Sequence, residues 1–361
     1  MRGLRSRNPF TGEIVYGVPA AGPIEVQRAV QRVLSSANGW ARTPVHQRAM
    51  VLRRFAELLD ARADAFARLT RLQGRQARPR RPRRSSLDGA DSTLVCGSSP
   101  ASRASCRRAL HGLNPSRTRD RSGGGRAPGA PRAGARRRHP AIVFADAELD
   151  AAAGAIAALA SAPAEQKCTP VRRVVVERPA QIALTERLAS NFEALVPGDP
   201  AKETTTLGPL ITPSARRRAQ RAVARAQAAG ARVVARSPLQ SGSGAFFAAT
   251  LLDRLAPDDP LRRNELFAPV LSVEAFEQAR QTANHGASGL SAAVYTTNRD
   301  RIREATEQLR LGIISINRRS DAVDLEAPFA PTAPSGNAMP EGGEYAYRAR
   351  TALRTIYNEP E

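Results

Sequence analysis

The sequence predicts an α/β fold whose larger part is three-layered, with helices on both faces of a mainly parallel sheet. From residue 139 to 317, short apolar, β-branched runs alternate with helix-length amphipathic stretches. Capping residues and a closing glycine mark helix ends within that alternation. Between residues 72 and 138 the periodicity stops, and Arg, Pro, Gly and Ser leave too few apolar groups to offset the entropy of ordering the chain.

Taken in order, residues 24–70 read as two core-packing amphipathic helices. The first places Val26, Ala29, Val30, Val33 and Leu34 on one face and is expected to break near Asn38-Gly39. In the second, Thr43 fits the N-cap and Pro44 the first helical position, with Val51, Leu52, Phe55, Leu58, Leu59, Phe66 and Leu69 following at three- and four-residue steps. After the break, "AIVF" reads as a short buried strand, and Asp146 as the cap of an Ala-rich helix starting near Ala147. Strand "RRVVVE" and helix "IALTERLASNFEAL" come next, then a helix capped by Thr212, begun by Pro213 and closed by Gly230. Strands "ARVVA", "VLSVEAF", "LSAAVYT" and "GIISIN" complete the pattern, with the charged helix "RDRIREATEQLR" before the last of them.

The chain has 361 residues and a formal net charge of +22, but the charge is unevenly placed. Residues 72–138 hold 17 Arg against 3 Asp. A nucleic-acid binder using that segment is one reading of the charge, yet the segment has no Phe, Tyr or Trp for base stacking and no recognisable binding motif. The near absence of lysine (only Lys167 and Lys202) looks like the codon bias of a GC-rich genome. Three cysteines, Cys96, Cys106 and Cys168, form neither a disulfide framework nor a metal-ligand spacing, which points to a reducing cytoplasm and to no metal. No apolar run has the length of a signal peptide or a membrane span, so a soluble protein is expected.

The strings "NPFTGEIV", "HPAIVFADAELDAA", "EQKCTPVRRVVVE", "LGPLIT", "NELFAPVLSV", "GLSAAVYT" and "GIISIN" follow one another in an order that resembles the aldehyde dehydrogenase superfamily. The resemblance covers about 1–71 and 139–361. It implies an aldehyde-dehydrogenase-like three-layer catalytic domain at 139–325 and the N-terminal part of a truncated Rossmann-like cofactor domain at 1–71. It also implies a tail with an oligomerisation strand at 326–361, and so a homo-oligomer. Residues 72–138 would be a disordered or frame-displaced segment, joined to a deletion. "EQKCTPVRR" with "AVDLEAPFA" looks closest to members acting on semialdehydes of short oxo-acids.

By this resemblance Cys168 attacks the aldehyde to give a thiohemiacetal, which is oxidised by NAD or NADP to a thioester and hydrolysed. A thiolate suits that attack, being the strongest side-chain nucleophile near neutral pH. Glu265 would meet the nicotinamide ribose, Phe267 would pack beside the ring, and Asn317 would lie near the substrate pocket. Read without the family, these are a small buried hydrophobe, a surface carboxylate, a core aromatic and a strand-end turn. The departures point to impaired activity or an inactive remnant. Gly134 stands 34 residues before Cys168, where the family carries a glutamate base, and glycine cannot take a proton. The oxyanion-donating asparagine has no counterpart, and one such donor is worth about 2.7–4 kcal/mol in the barrier. The dinucleotide surface should fall between 71 and 139, where the sequence is replaced and too short. Ala268, and the turn Pro328-Phe329-Ala330-Pro331, add bulk where the family has glycine.

Overall fold

The computed structural model describes residues 3–73, 139–161, 166–239, 242, 244–276, 290–321, 326–329 and 340–348. The expectations for the insert from residue 74, for Gly134, Cys96 and Cys106, and for the tail beyond Arg348 lie outside them.

Strands β1 (Gly3–Arg7) and β2 (Ile14–Pro19) form an antiparallel pair. In their connection Asn8 Oδ1 accepts from Phe10 N at 2.9 Å, and Gly12 takes φ +80°. The Phe10 ring meets Phe246 edge-on at 5.9 Å, and Pro9 O accepts from Ala245 N at 3.2 Å, which fastens this hairpin to the later part of the chain. Helices α1 (Pro23–Arg42), α2 (Val45–Asp60) and α3 (Ala63–Leu72) follow.

Four expectations for this region need correction, the first being the single second helix, which is interrupted at Ala61 and Arg62 and stands as α2 and α3. Helix α1 runs through Asn38 and Gly39 without a break, because a single helical glycine costs only about 1 kcal/mol against alanine. Thr43 does not cap α2: its Oγ1 donates to Gly39 O at 3.0 Å and closes α1, while Pro44 stands at the N-cap. The helices do not pack into a core either. None of the three buries a residue, and Val30, Leu34, Leu52 and Phe55 remain more than half exposed. Their apolar stripes are amphipathic as read, but the described residues supply no sheet that closes over them.

The main sheet has seven strands in the order β5-β6-β7-β4-β3-β8-β9. These are β3 (Pro140–Val143), β4 (Arg173–Glu177), β5 (Arg232–Arg236), β6 (Thr250–Asp253), β7 (Val270–Phe276), β8 (Ser291–Tyr295) and β9 (Ile313–Ile316). All neighbours are parallel except the edge pair β5 and β6. Val174, Val175 and Val176 are all fully buried, which a strand achieves only when both sheet faces are covered. On one face Ala141, Val143, Val174, Val176 and Leu271 pack with Ile156 and Leu159 of α4 (Leu149–Ser161) and with Leu184, Leu188 and Phe192 of α5 (Gln181–Glu193). On the other, Leu252 and Val270 meet Ala215, Ala219 and Val223 of α6 (Pro213–Ala228). Ile142, Val175 and Val294 share that second side with Leu309, the residue that ends α7 (Arg299–Gln308). The three-layer α/β fold is therefore present. Helix α6 has the predicted ends: Thr212 Oγ1 accepts from Ala215 N at 3.1 Å, and Gly230 takes φ +97°.

Asp146 has a different task from the one expected, since α4 starts only at Leu149. Its carboxylate accepts from Thr296 Oγ1 at 2.7 Å, Thr297 N and Asn298 N at 2.9 Å, and Arg301 Nη1 at 2.6 Å. Arg301 Nη2 also donates to Glu177 Oε1 at 3.0 Å, and its guanidinium lies 4.6 Å from the Phe144 ring centre. The C-terminal ends of β3, β4 and β8 are thus joined through one arginine. Burial pushes the Asp146 carboxyl up, but the donors from Thr296, Thr297 and Arg301 outweigh it and hold the group well below the usual carboxylate range.

Two consequences can be measured. The Asp146 contribution is complete above the ordinary carboxylate pKa and is lost as pH falls through the depressed value. Asp146→Ala should therefore cost about 1.5–3 kcal/mol at neutral pH and flatten the acid limb of a denaturation series; an unchanged acid limb would contradict this. Tyr295 behaves oppositely: burial, above all, pushes its phenol from 10.0 up to about 12. Its contribution is complete below pH 10 and is lost as pH rises towards 12, so Tyr295→Phe should flatten the alkaline limb between those values.

Candidate active site

The segment Gln166–Pro170 leads into β4 and carries Cys168, a partly exposed free thiol. Backbone and side-chain groups on both sides of the cysteine are held. Gln166 Oε1 accepts from Ile211 N at 2.8 Å, Lys167 O from Arg172 Nη2 at 2.8 Å, and Thr169 O from Ser320 Oγ at 2.8 Å. Below the segment, the fully buried His139 places Nδ1 2.9 Å from Ser291 Oγ, and its carbonyl accepts from Arg172 N at 3.0 Å. Lys167 Nζ lies 3.7 Å from Asp321 Oδ2, which Arg319 also grips with two bonds of 3.0 Å. The site therefore collects at the N-terminal ends of parallel strands, not at the carboxyl ends where open α/β sheets usually bind ligands.

Arg172 brings the predicted residues together. The same Nη2 that donates to Lys167 O lies 2.9 Å from Glu265 Oε1, with the two side chains only 9% and 15% exposed. Its guanidinium carbon stands 5.2 Å from the Phe267 ring centre. Phe267 takes φ +58°, a left-handed conformation that costs an L-residue roughly 1–2 kcal/mol. A cation over a partly desolvated ring returns about 0.5–2 kcal/mol, so this contact offsets much of that strain. Ala268, at the family's glycine position, is buried, and the positive φ falls on the residue before it.

Asn317 is placed differently. At φ +49° its Oδ1 accepts from Thr296 N at 3.0 Å and its Nδ2 donates to Thr296 O at 2.9 Å. The amide thus joins the ends of β8 and β9. The turn it makes sends residues 318–321 back to the cysteine segment through Ser320 and Asp321.

Sequence reading alone places Lys167 and Arg172 beside Cys168 as cations favouring the thiolate, but it does not tie Arg172 to Glu265 or Phe267, nor assign Ser320, Asp321 or His139 to the site. For Arg172 a signal existed: two consecutive arginines lead directly into three valines of a central strand, where buried cations require carboxylate partners. Nothing comparable marked Ser320.

The cavity bordered by Arg172, Leu266, Ala268 and Ser272 holds about 20 Å³, room for one water and not for a nicotinamide ring. A larger cleft of about 390 Å³ lies among Gln181, Arg232, Asp253, Arg254 and Glu274 and contains none of the predicted site residues. Among the described residues, no helix is long and apolar enough to cross a membrane.

Comparison with known proteins agrees with this architecture. The family model described as "Aldehyde dehydrogenase family" matches residues 2–82 and 138–356. The alpha-ketoglutaric semialdehyde dehydrogenase of Bacillus subtilis (strain 168) is 29% identical over 230 residues, covering 62% of this chain and 47% of that protein. The crystal structure of lactaldehyde dehydrogenase from Escherichia coli is 30% identical with a TM-score of 0.56, over 59% of this chain and 45% of that one. Betaine aldehyde dehydrogenase from Staphylococcus aureus, solved in complex with NAD+, shares the fold at 24% identity and a TM-score of 0.56, over 59% and 44% of the two chains. The chain spans about half the length of the curated relatives it matches. With a matched region on each side of the Arg-rich insert and a sheet common to these structures, the chain belongs to the aldehyde dehydrogenase family.

Proposed function

We propose that this chain retains the nucleophile side of an aldehyde dehydrogenase, and that oxidation of an aldehyde to a carboxylate with NAD or NADP is impaired or lost in it. The observation that carries this reading is the convergence on Arg172 of the Cys168 segment, Glu265 and Phe267. The step these residues support is addition: the Cys168 sulfur bonds to the carbonyl carbon of a small aldehyde, the C=O π bond breaks, and a proton moves to the oxygen. The product is a thiohemiacetal, and no oxidant is needed to reach it. An oxo-acid semialdehyde is the favoured substrate class, from the likeness of the "EQKCTPVRR" segment. A cytoplasmic homo-oligomer is the expected setting.

The described residues at this site do not fit the dinucleotide. Glu265, which the family uses for the nicotinamide ribose, is engaged by a buried guanidinium. The oxidised nicotinamide ring is itself cationic, and beside Phe267 it would meet the positive charge of Arg172. The base position falls on Gly134. Hydride transfer and hydrolysis are therefore not assigned to residues of this chain.

The reading is tested with the full chain, a panel of short aldehydes and semialdehydes, and both NAD+ and NADP+. No reduced cofactor should appear by absorbance, while millimolar aldehyde should slow alkylation of Cys168 followed by peptide mass spectrometry. Turnover that disappears in Cys168→Ser would refute the impairment. Alkylation indifferent to every aldehyde would refute the nucleophile.

A further inference from the structure

We propose that Arg172 is a positioning residue that clamps the Cys168 segment to the Glu265–Phe267 turn and, by engaging Glu265, withdraws that carboxylate from any ligand. This rests on the reading of Cys168 as the nucleophile. Four contacts meet in this one residue. Its backbone N–H donates to His139 O at 3.0 Å, tying the start of β4 to β3. Its Nη2 donates to Lys167 O at 2.8 Å and lies 2.9 Å from Glu265 Oε1. Its guanidinium carbon lies over the Phe267 ring, 5.2 Å from the ring centre.

The chemistry of the side chain explains why arginine does this. A guanidinium is a flat, weakly hydrated cation, so one terminal nitrogen can donate to a carbonyl and pair with a carboxylate while the group lies over a ring. Lysine offers a compact ammonium with neither the plane nor the span. The pair is 9% and 15% exposed, so separating its members would strand a charge in a poorly solvated place. Glu265 is accordingly held by the protein, and the peptide before Cys168 is held by the same nitrogen. Movement of the nucleophile segment and release of the carboxylate are therefore one event.

The test uses the full chain with Arg172→Ala and Arg172→Lys, each checked for a cooperative melt. Two labels are read by peptide mass spectrometry: iodoacetamide at Cys168, and carbodiimide with an amine at Glu265. In Arg172→Ala, Cys168 should alkylate about 3–10-fold faster and Glu265 should become modified several-fold faster, because the clamp and the charge are both gone. In Arg172→Lys the charge persists without the fork, so Cys168 should quicken while Glu265 keeps most of its protection. Rates at both residues within twofold of the unaltered chain, in variants that melt cooperatively, would overturn the proposal. So would a Lys variant matching the unaltered chain at Cys168. Aldehyde protection of Cys168 is a separate measurement, so the nucleophile reading and the clamp can each fail alone.

Discussion

Two adjacent buried arginines at the start of the central strand set the constraint on which the site depends. Arg172 and Arg173 have side chains only 9% and 7% exposed, and a guanidinium cannot shed its charge to escape burial. Each must find a carboxylate. Arg172 takes Glu265 and Arg173 takes Glu274, so the two ends of the stretch that contains β7 are drawn to β4. Arg262 joins the second pair through Glu274. Breaking a buried pair from one side typically costs about 3–5 kcal/mol, more than most single packing contacts in this sheet supply. The parallel register of β4 with β7, Arg173 opposite Ser272 and Val176 opposite Ala275, is thus supported by charge as well as by apolar burial.

A different balance governs the N-terminal helices. Their stripes are apolar enough to seek a core, yet Val33 is 69% exposed and Val45 72%. Helix propensity and local caps, such as Gly22 N donating to Glu25 Oε2 at 2.9 Å, sustain the turns without burial. The anchoring that does exist is polar and sparse: Gln73 Nε2 donates to Ser6 Oγ at 3.1 Å and to Tyr16 Oη at 2.9 Å. Among the described residues nothing covers these stripes, whereas the sheet that follows is packed on both faces.

How far the sequence was legible follows from which forces were local. The strands and α4 to α7 could be read because apolar period, Thr212 and Gly230 each act within a few residues of themselves. Asp146 was misread because a cap is a local use of aspartate, while its actual partners lie about 150 residues further on at Thr296 to Arg301. Thr43 failed on a smaller scale: its hydroxyl could turn back or forward, and the carbonyl of Gly39 was nearer. Cys168, Glu265 and Phe267 could be named from resemblance, but their meeting depends on Arg172, whose reach no spacing rule reveals. Asn317 was recognisable both as a strand-end turn and as a pocket residue, and its amide bonds to Thr296 give physical content to the first of these.

The same contacts explain how a chain about half the length of its curated relatives keeps a shaped cysteine segment. Residues 166–170 are bonded by groups of the three-layer part: Ile211, Ser291, Arg172, and Ser320 with Asp321. Among the described residues, the surroundings of Cys168 are thus built by the three-layer part. Arg172 adds a second tie, pairing with Glu265 as well as donating to the Lys167 carbonyl at the start of β4. Order in the cysteine segment and the placing of Glu265 thus draw on the same side chain, that of Arg172.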